Sequence, residues 1–93
     1  MNVEIYDNVW DALADTEQEA ANLKARSALL YEIRKAVQRW GIPQEEAAKR
    51  LGLTRPRVND LLRGKLAKFS LDALVNIAAS AHLEIEIRVK EVA

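Results

Sequence analysis

The stretch IPQEEAAKRLGLTRPRVNDLLRGK, running from Ile42 to Lys65, decides the fold. It reads as two short helices joined by a tight turn, a helix-turn-helix layout whose second helix opens with Thr54, Arg55, Pro56 and Arg57. Pro43 and Gln44 start the first helix. Ala47, Ala48 and Leu51 fall at helical spacing and share an inward face, with Ala48 small where the two helices cross. Gly52 suits the left-handed conformation that ends a helix, because it has no Cβ to clash. Leu53 plugs the core from the turn. Thr54 is placed to cap the second helix through its hydroxyl. Pro56 falls in the first turn, where a missing N–H does little harm. Val58, Leu61 and Leu62 supply the buried face, and Gly64 ends the helix.

The residues left over on the second helix carry the chemistry. Arg55, Arg57, Asn59, Asp60 and Arg63 are expected on its exposed side. Arginine can grip guanine O6 and N7 with two parallel bonds, and asparagine can do the same for adenine N6 and N7. Both can instead bond phosphate oxygens, which positions a protein without reading sequence. Gln44 stands at a helix N-terminus, where amides and dipole favour a phosphate. Base readout is assigned to Arg55, Arg57 and Asn59, with Asp60 at the edge of that surface. Phosphate contacts are assigned to Gln44, Thr54, Arg63 and Lys65, with Lys68 a further candidate near the link.

These residues carry a resemblance. Gln44, Ala48, Gly52, Leu53, Thr54, Val58 and Leu61 match the spacing of the XRE, or lambda-repressor-like, helix-turn-helix family. The sequence departs from it at Arg55-Pro56, where the family often has glutamine before proline. The wider run from Trp10 through Ser27 to Phe69, Ser70, Leu71 and Asp72 resembles small one-domain regulators, many of them similar to HigA-type antitoxins. The resemblance implies an all-α bundle of about five helices that binds double-stranded operator DNA, palindromic in form, as a homodimer. It also implies an alternative function, neutralisation of a RelE- or HigB-like ribonuclease toxin by direct binding, compatible with control of the shared operon.

Composition fits a single domain over 1–93, with its helix-turn-helix unit at 43–64, an N-terminal arm at 1–15 and a C-terminal strand at 83–90. Hydrophobic residues make up 49% of the 93, enough for one modest core and against a disordered chain. There is no signal-peptide pattern at Met1 to Tyr6 and no apolar run long enough to span a bilayer, so a cytoplasmic location is expected. With no cysteine and one histidine, neither thiol chemistry nor a soft metal site is expected. His82 reads as a solvated helix-end residue. No carboxylate pair stands beside a plausible nucleophile and no glycine loop cradles phosphate, so enzyme activity and cofactors are not expected.

The formal net charge of zero conceals a segregated pattern. Residues 1–22 hold six acids and no Lys or Arg, residues 23–68 hold twelve basic and four acidic, and residues 69–93 hold two basic and four acidic. A basic middle is the footprint of a nucleic-acid face. The acidic start is either a solvated arm or a docking segment for a basic partner.

The remainder reads as scaffold. Asn8 caps a short helix through Ala14. Thr16 and Glu19 have capping-box spacing ahead of a long helix to about Trp40, with Ala20, Leu23, Leu30, Ile33, Val37 and Trp40 as its stripe and Gly41 as its stop. Trp10 and Trp40 are expected to be buried rather than stacked on bases. Lys24, Arg26, Arg34, Lys35 and Arg39 line other faces, toward DNA backbone or water. Ser70 caps a further helix through Leu71, Leu74, Val75, Ala78 and Ala79. In the tail Leu83, Ile85, Ile87 and Val89 alternate with Glu84, Glu86, Arg88 and Lys90, the pattern of a half-buried β-strand. Its partner is either Asn2 to Tyr6 or the same strand of a second subunit; a small sheet that includes pairing across a dimer is favoured, because helix-turn-helix proteins commonly read two-fold symmetric sites.

Overall fold

In the computed structural model, which describes residues 15–92, the capping chemistry of the sequence sets the helix boundaries. Helix α1 (Glu17–Trp40) starts at Thr16, whose Oγ1 accepts the Glu19 amide at 3.0 Å while Glu19 Oε2 accepts the Asp15 amide at 3.1 Å. Helix α2 (Gln44–Leu51) follows Pro43 without a side-chain cap. Helix α3 (Arg55–Leu62) begins at Thr54, whose hydroxyl accepts the Arg57 amide at 3.3 Å. A 3₁₀ turn (Leu66–Lys68) leads to helix α4 (Leu71–Ser80), capped by Ser70 Oγ on the Ala73 amide at 3.1 Å. The regular structure of the described residues is therefore all helical, as the resemblance implies. The short helix at 8–14, Trp10 and the possible strand Asn2 to Tyr6 lie outside them.

Helices α2, α3 and α4 end in the same way. In each, an amide just beyond the helix turns back onto the carbonyl five residues earlier: Leu53 to Ala48 at 3.0 Å, Lys65 to Asp60 at 3.1 Å and Leu83 to Ala78 at 2.9 Å. This is the Schellman arrangement, and it needs a left-handed residue between. Gly52 (φ +67°), Gly64 (φ +72°) and His82 (φ 60°) fill that place. Histidine tolerates it better than most residues with a Cβ. The returning residue then contacts the last turn. Leu53 and Leu83 do so as apolar plugs on the core. Lys65 does so with charge, its Nζ 3.3 Å from Asp60 Oδ1.

The core collects Ile33 from α1, Ala47 and Leu51 from α2, Val58 and Leu61 from α3, and Leu74 and Ile77 from α4. Helix α1 packs chiefly on α4, and α2 on α3. Phe69, which the sequence places in a link, is the largest fully enclosed side chain, 1% exposed. It stands between the 3₁₀ turn and Ser70, so α4 begins beside a wedge already sunk in the core. Two expectations on α4 change. Val75 is 41% exposed and Ala79 also faces out, while Ile77 takes the inward position. Trp40 is half-buried, with the Arg50 guanidinium 5.1 Å from its ring centre.

The strand expected over 83–90 is not formed. The tail from Glu84 onward has no regular secondary structure and is exposed, and no strand occurs among the described residues. Alternation supplies one face for burial, but a strand exists only when its backbone groups pair with a neighbour. None of the described residues provides one. Among these residues no helix is long and apolar enough to cross a membrane.

The two glycine caps differ in surroundings. A Cβ on Gly52 would meet nothing within 4 Å, whereas one on Gly64 would come 3.2 Å from Arg34 Nη1. Gly52→Ala should cost about 1–2 kcal/mol, the left-handed penalty alone. Gly64→Ala should cost more, and the excess should disappear in an Arg34→Ala background. Urea unfolding of the four variants measures this.

Candidate nucleic-acid interface

Helix α3 has a sharp division of faces. Val58 and Leu61 are fully buried, while Arg55, Pro56 and Arg63 are exposed and Asn59 is half-exposed. Arg55, Asn59 and Arg63 follow at four-residue steps, so they form a ridge along one side of the helix. Arg55 occupies its first position, beside the Thr54 cap. The Thr54 oxygen is engaged with the Arg57 amide, which leaves its O–H free to donate outward.

Arg57 and Asp60 lie further round the helix, toward the 64–69 segment, and the structure gives both work there. The Arg57 guanidinium sits 4.2 Å from the centre of the Phe69 ring and donates through Nη1 to the Lys68 carbonyl at 2.8 Å. Asp60 holds Lys65 through the ion pair described above, with the acid the more buried partner. Sequence places Arg57 among the base-reading residues because of its expected exposure. The structure half-buries it and ties it to the turn that follows the helix.

Gln44 opens α2. The Pro43 carbonyl takes the Glu46 and Ala47 amides, both at 3.0 Å. The Gln44 and Glu45 amides therefore have no acceptor in that turn, and with the helix dipole they present a positive end to solvent.

Two residues matter here that sequence reasoning treats only as generic cations. Arg34 of α1 donates through Nε to the Leu62 carbonyl at 3.0 Å. Arg26 donates through Nη1 to the Leu66 and Phe69 carbonyls, both at 3.3 Å, and through Nε to Asn22 Oδ1 at 2.6 Å. With Arg57 on Lys68, three guanidinium groups hold the carbonyls of the segment that closes α3. The sequence does contain a signal for this. Arg26 fills the gap between Leu23 and Leu30 in the apolar stripe, and Arg34 continues the Arg26–Leu30 line by another four residues. An arginine in a core stripe brings its aliphatic stem to apolar surface and its head to a carbonyl.

This geometry agrees with known proteins. The family model described as a helix-turn-helix domain matches residues 12–90. The chain belongs to this helix-turn-helix family. A solved structure provisionally named an XRE family transcriptional regulator is similar at 27% identity, with a TM-score of 0.72 over 80% of this chain and 83% of that one. No curated protein matches the sequence. The XRE-type helix-turn-helix fold implied by Gln44, Ala48, Gly52 and Leu53 is thus the fold observed.

The arginines should separate by experiment. Arg26→Met and Arg34→Met should each lower unfolding free energy by about 1 kcal/mol, since a charge-assisted bond to a half-exposed carbonyl is lost. Arg55→Ala and Arg63→Ala should stay within about 0.5 kcal/mol of the parent. Chemical denaturation of the four variants tests the division.

Proposed function

We propose that this helix-turn-helix protein is a sequence-specific regulator of transcription that binds double-stranded DNA as a homodimer and represses its own operon. The observation that carries this is the ridge Arg55, Asn59 and Arg63 on a short helix whose far end is fixed by side chains from the rest of the fold. A reading surface must hold its shape before DNA arrives, because ordering it on binding would cost affinity.

Arg55 and Asn59 are assigned to base edges in the major groove. Arg57 joins them as a bridging residue: Lys68 uses one of its five donors, and others remain for a base or phosphate at the groove wall. Thr54 and the N-terminal end of α2 at Gln44 are assigned to phosphates on one side of the groove, and Arg63 and Lys65 to those on the other. Asp60 positions the Lys65 ammonium and keeps an acid at the margin of a basic face. Two such units would read half-sites about one helical turn apart, on the order of 34 Å, and exclude polymerase by occupancy.

Toxin neutralisation is compatible with this reading, because none of the residues assigned to DNA above lies on α1. Co-expression with a neighbouring small basic protein tests it: unrelieved toxicity removes the antitoxin function and leaves the regulator intact.

The central test is titration of the protein against its own upstream DNA and a scrambled duplex at two salt concentrations. Preference for the upstream site by ~10³ or more is expected. Equal, steeply salt-dependent binding to both would overturn sequence-specific autorepression. Arg55→Ala should cost ~1–3 kcal/mol on the specific site and relax preference at one base, whereas Lys65→Ala should weaken both duplexes alike.

A further inference from the structure

Past Leu83 the tail leaves the helices with nothing among the described residues to pair its backbone. Exposure rises along it, from 38% at Ile85 to 82% at Ile87 and 89% at Val89. Beside its root lies an apolar groove of about 600 Å³, whose walls include Ala25, Ala28 and Leu29 of α1, Val75 of α4, and Leu83 and Ile85 of the tail itself. Ala25 and Ala28 of this wall lie on a different stripe of α1 from Arg26 and Arg34.

The charges on the tail specify an occupant. Along 84–90 the alternate positions read Glu84, Glu86, Arg88, Lys90, two acids followed by two bases. A second copy running antiparallel and centred on Ile87 sets Glu86 opposite Arg88 and Glu84 opposite Lys90, each pair occurring twice by symmetry. In the same register Ile87 meets its own counterpart and Ile85 meets Val89 on the other face. A shift of one residue puts charges against the apolar face. A shift of two in either direction puts Glu86 on Glu86 or Arg88 on Arg88. A parallel pairing sets every charge against itself.

We infer that the tail is a self-complementary dimerisation strand: two copies of this chain pair antiparallel about Ile87, and each places the apolar side of its strand, around Val89, over the groove of the other between α1 and α4. This rests on the homodimer of the preceding subsection and names its interface. The groove explains why Val75 faces out. The ribbon supplies a backbone partner that the alternating tail does not find among the described residues of its own chain.

The test uses the full-length protein without DNA, so that dimer formation is read apart from operator binding. Sedimentation should show a dimer. Glu86→Arg and Arg88→Glu, each alone, convert two attractive cross-strand pairs into repulsive ones and should weaken the dimer by about tenfold or more. The double swap Glu86→Arg with Arg88→Glu should restore parental affinity. An equimolar mixture of the two single variants should form a heterodimer, because each then supplies what the other lacks. Circular dichroism confirms that all variants stay folded. Monomer at every concentration would overturn the interface and leave the groove to a foreign chain. So would a dimer indifferent to both reversals, or one that the double swap fails to restore. None of these outcomes depends on whether the protein prefers its upstream DNA.

Discussion

Where α3 ends, the chain has to turn back toward α4 through residues 63–69. Guanidinium groups bond the carbonyls from Leu62 to Phe69: Arg34 on Leu62, Arg26 on Leu66 (which also accepts the Phe69 amide) and on Phe69, and Arg57 on Lys68. The arrangement does two things together. It satisfies acceptors that would otherwise compete for water at the edge of the core. It also fixes the angle between α1 and α3, because a planar donor aimed at a carbonyl permits little rotation. The presentation of Arg55, Asn59 and Arg63 depends on that angle.

Phe69 completes the constraint. It is almost wholly enclosed, and the Arg57 guanidinium lies against its ring. The first turn of α3, the 3₁₀ turn and the start of α4 thereby share one packed contact. One charged group thus packs on the core with one side and turns the other to the solvent face. The Asp60–Lys65 pair extends the logic to the helix end, where charge takes the place that leucine holds after α2 and α4.

Much of this fold is legible in the amino-acid sequence. Thr16, Thr54 and Ser70 announce the helix starts because capping is a local event between a hydroxyl and an amide three residues on. Gly52 and Gly64 announce ends for the same reason. Ala47, Leu51, Val58 and Leu61 follow from a period of 3.6. What the sequence hides depends on contacts between distant segments. Arg26 and Arg34 reach residues some thirty to forty positions away. Phe69 sits in a stretch too short for a period to reveal its inward direction. The sequence shows Arg57 only as an exposed cation, because its hold on the Lys68 carbonyl and the Phe69 ring depends on a later segment. The strand at 83–90 is unformed for a related reason: alternation reports a face that wants burial, and no neighbour for its backbone stands among the described residues.

Helix α1 carries Arg26 and Arg34 on one stripe and the apolar groove wall of Ala25 and Ala28 on another. This makes its length a fixed quantity in the history of the protein. A single residue gained between the two arginines would rotate one relative to the other by about 100°, and no side chain is long enough to recover both carbonyls. Surface positions such as Tyr31 and Gln38 stay free to drift, and the loops can absorb insertions. Relatives that keep this mode of holding α3 should therefore vary in the composition of their longest helix while keeping its phase, to the residue, between these two points.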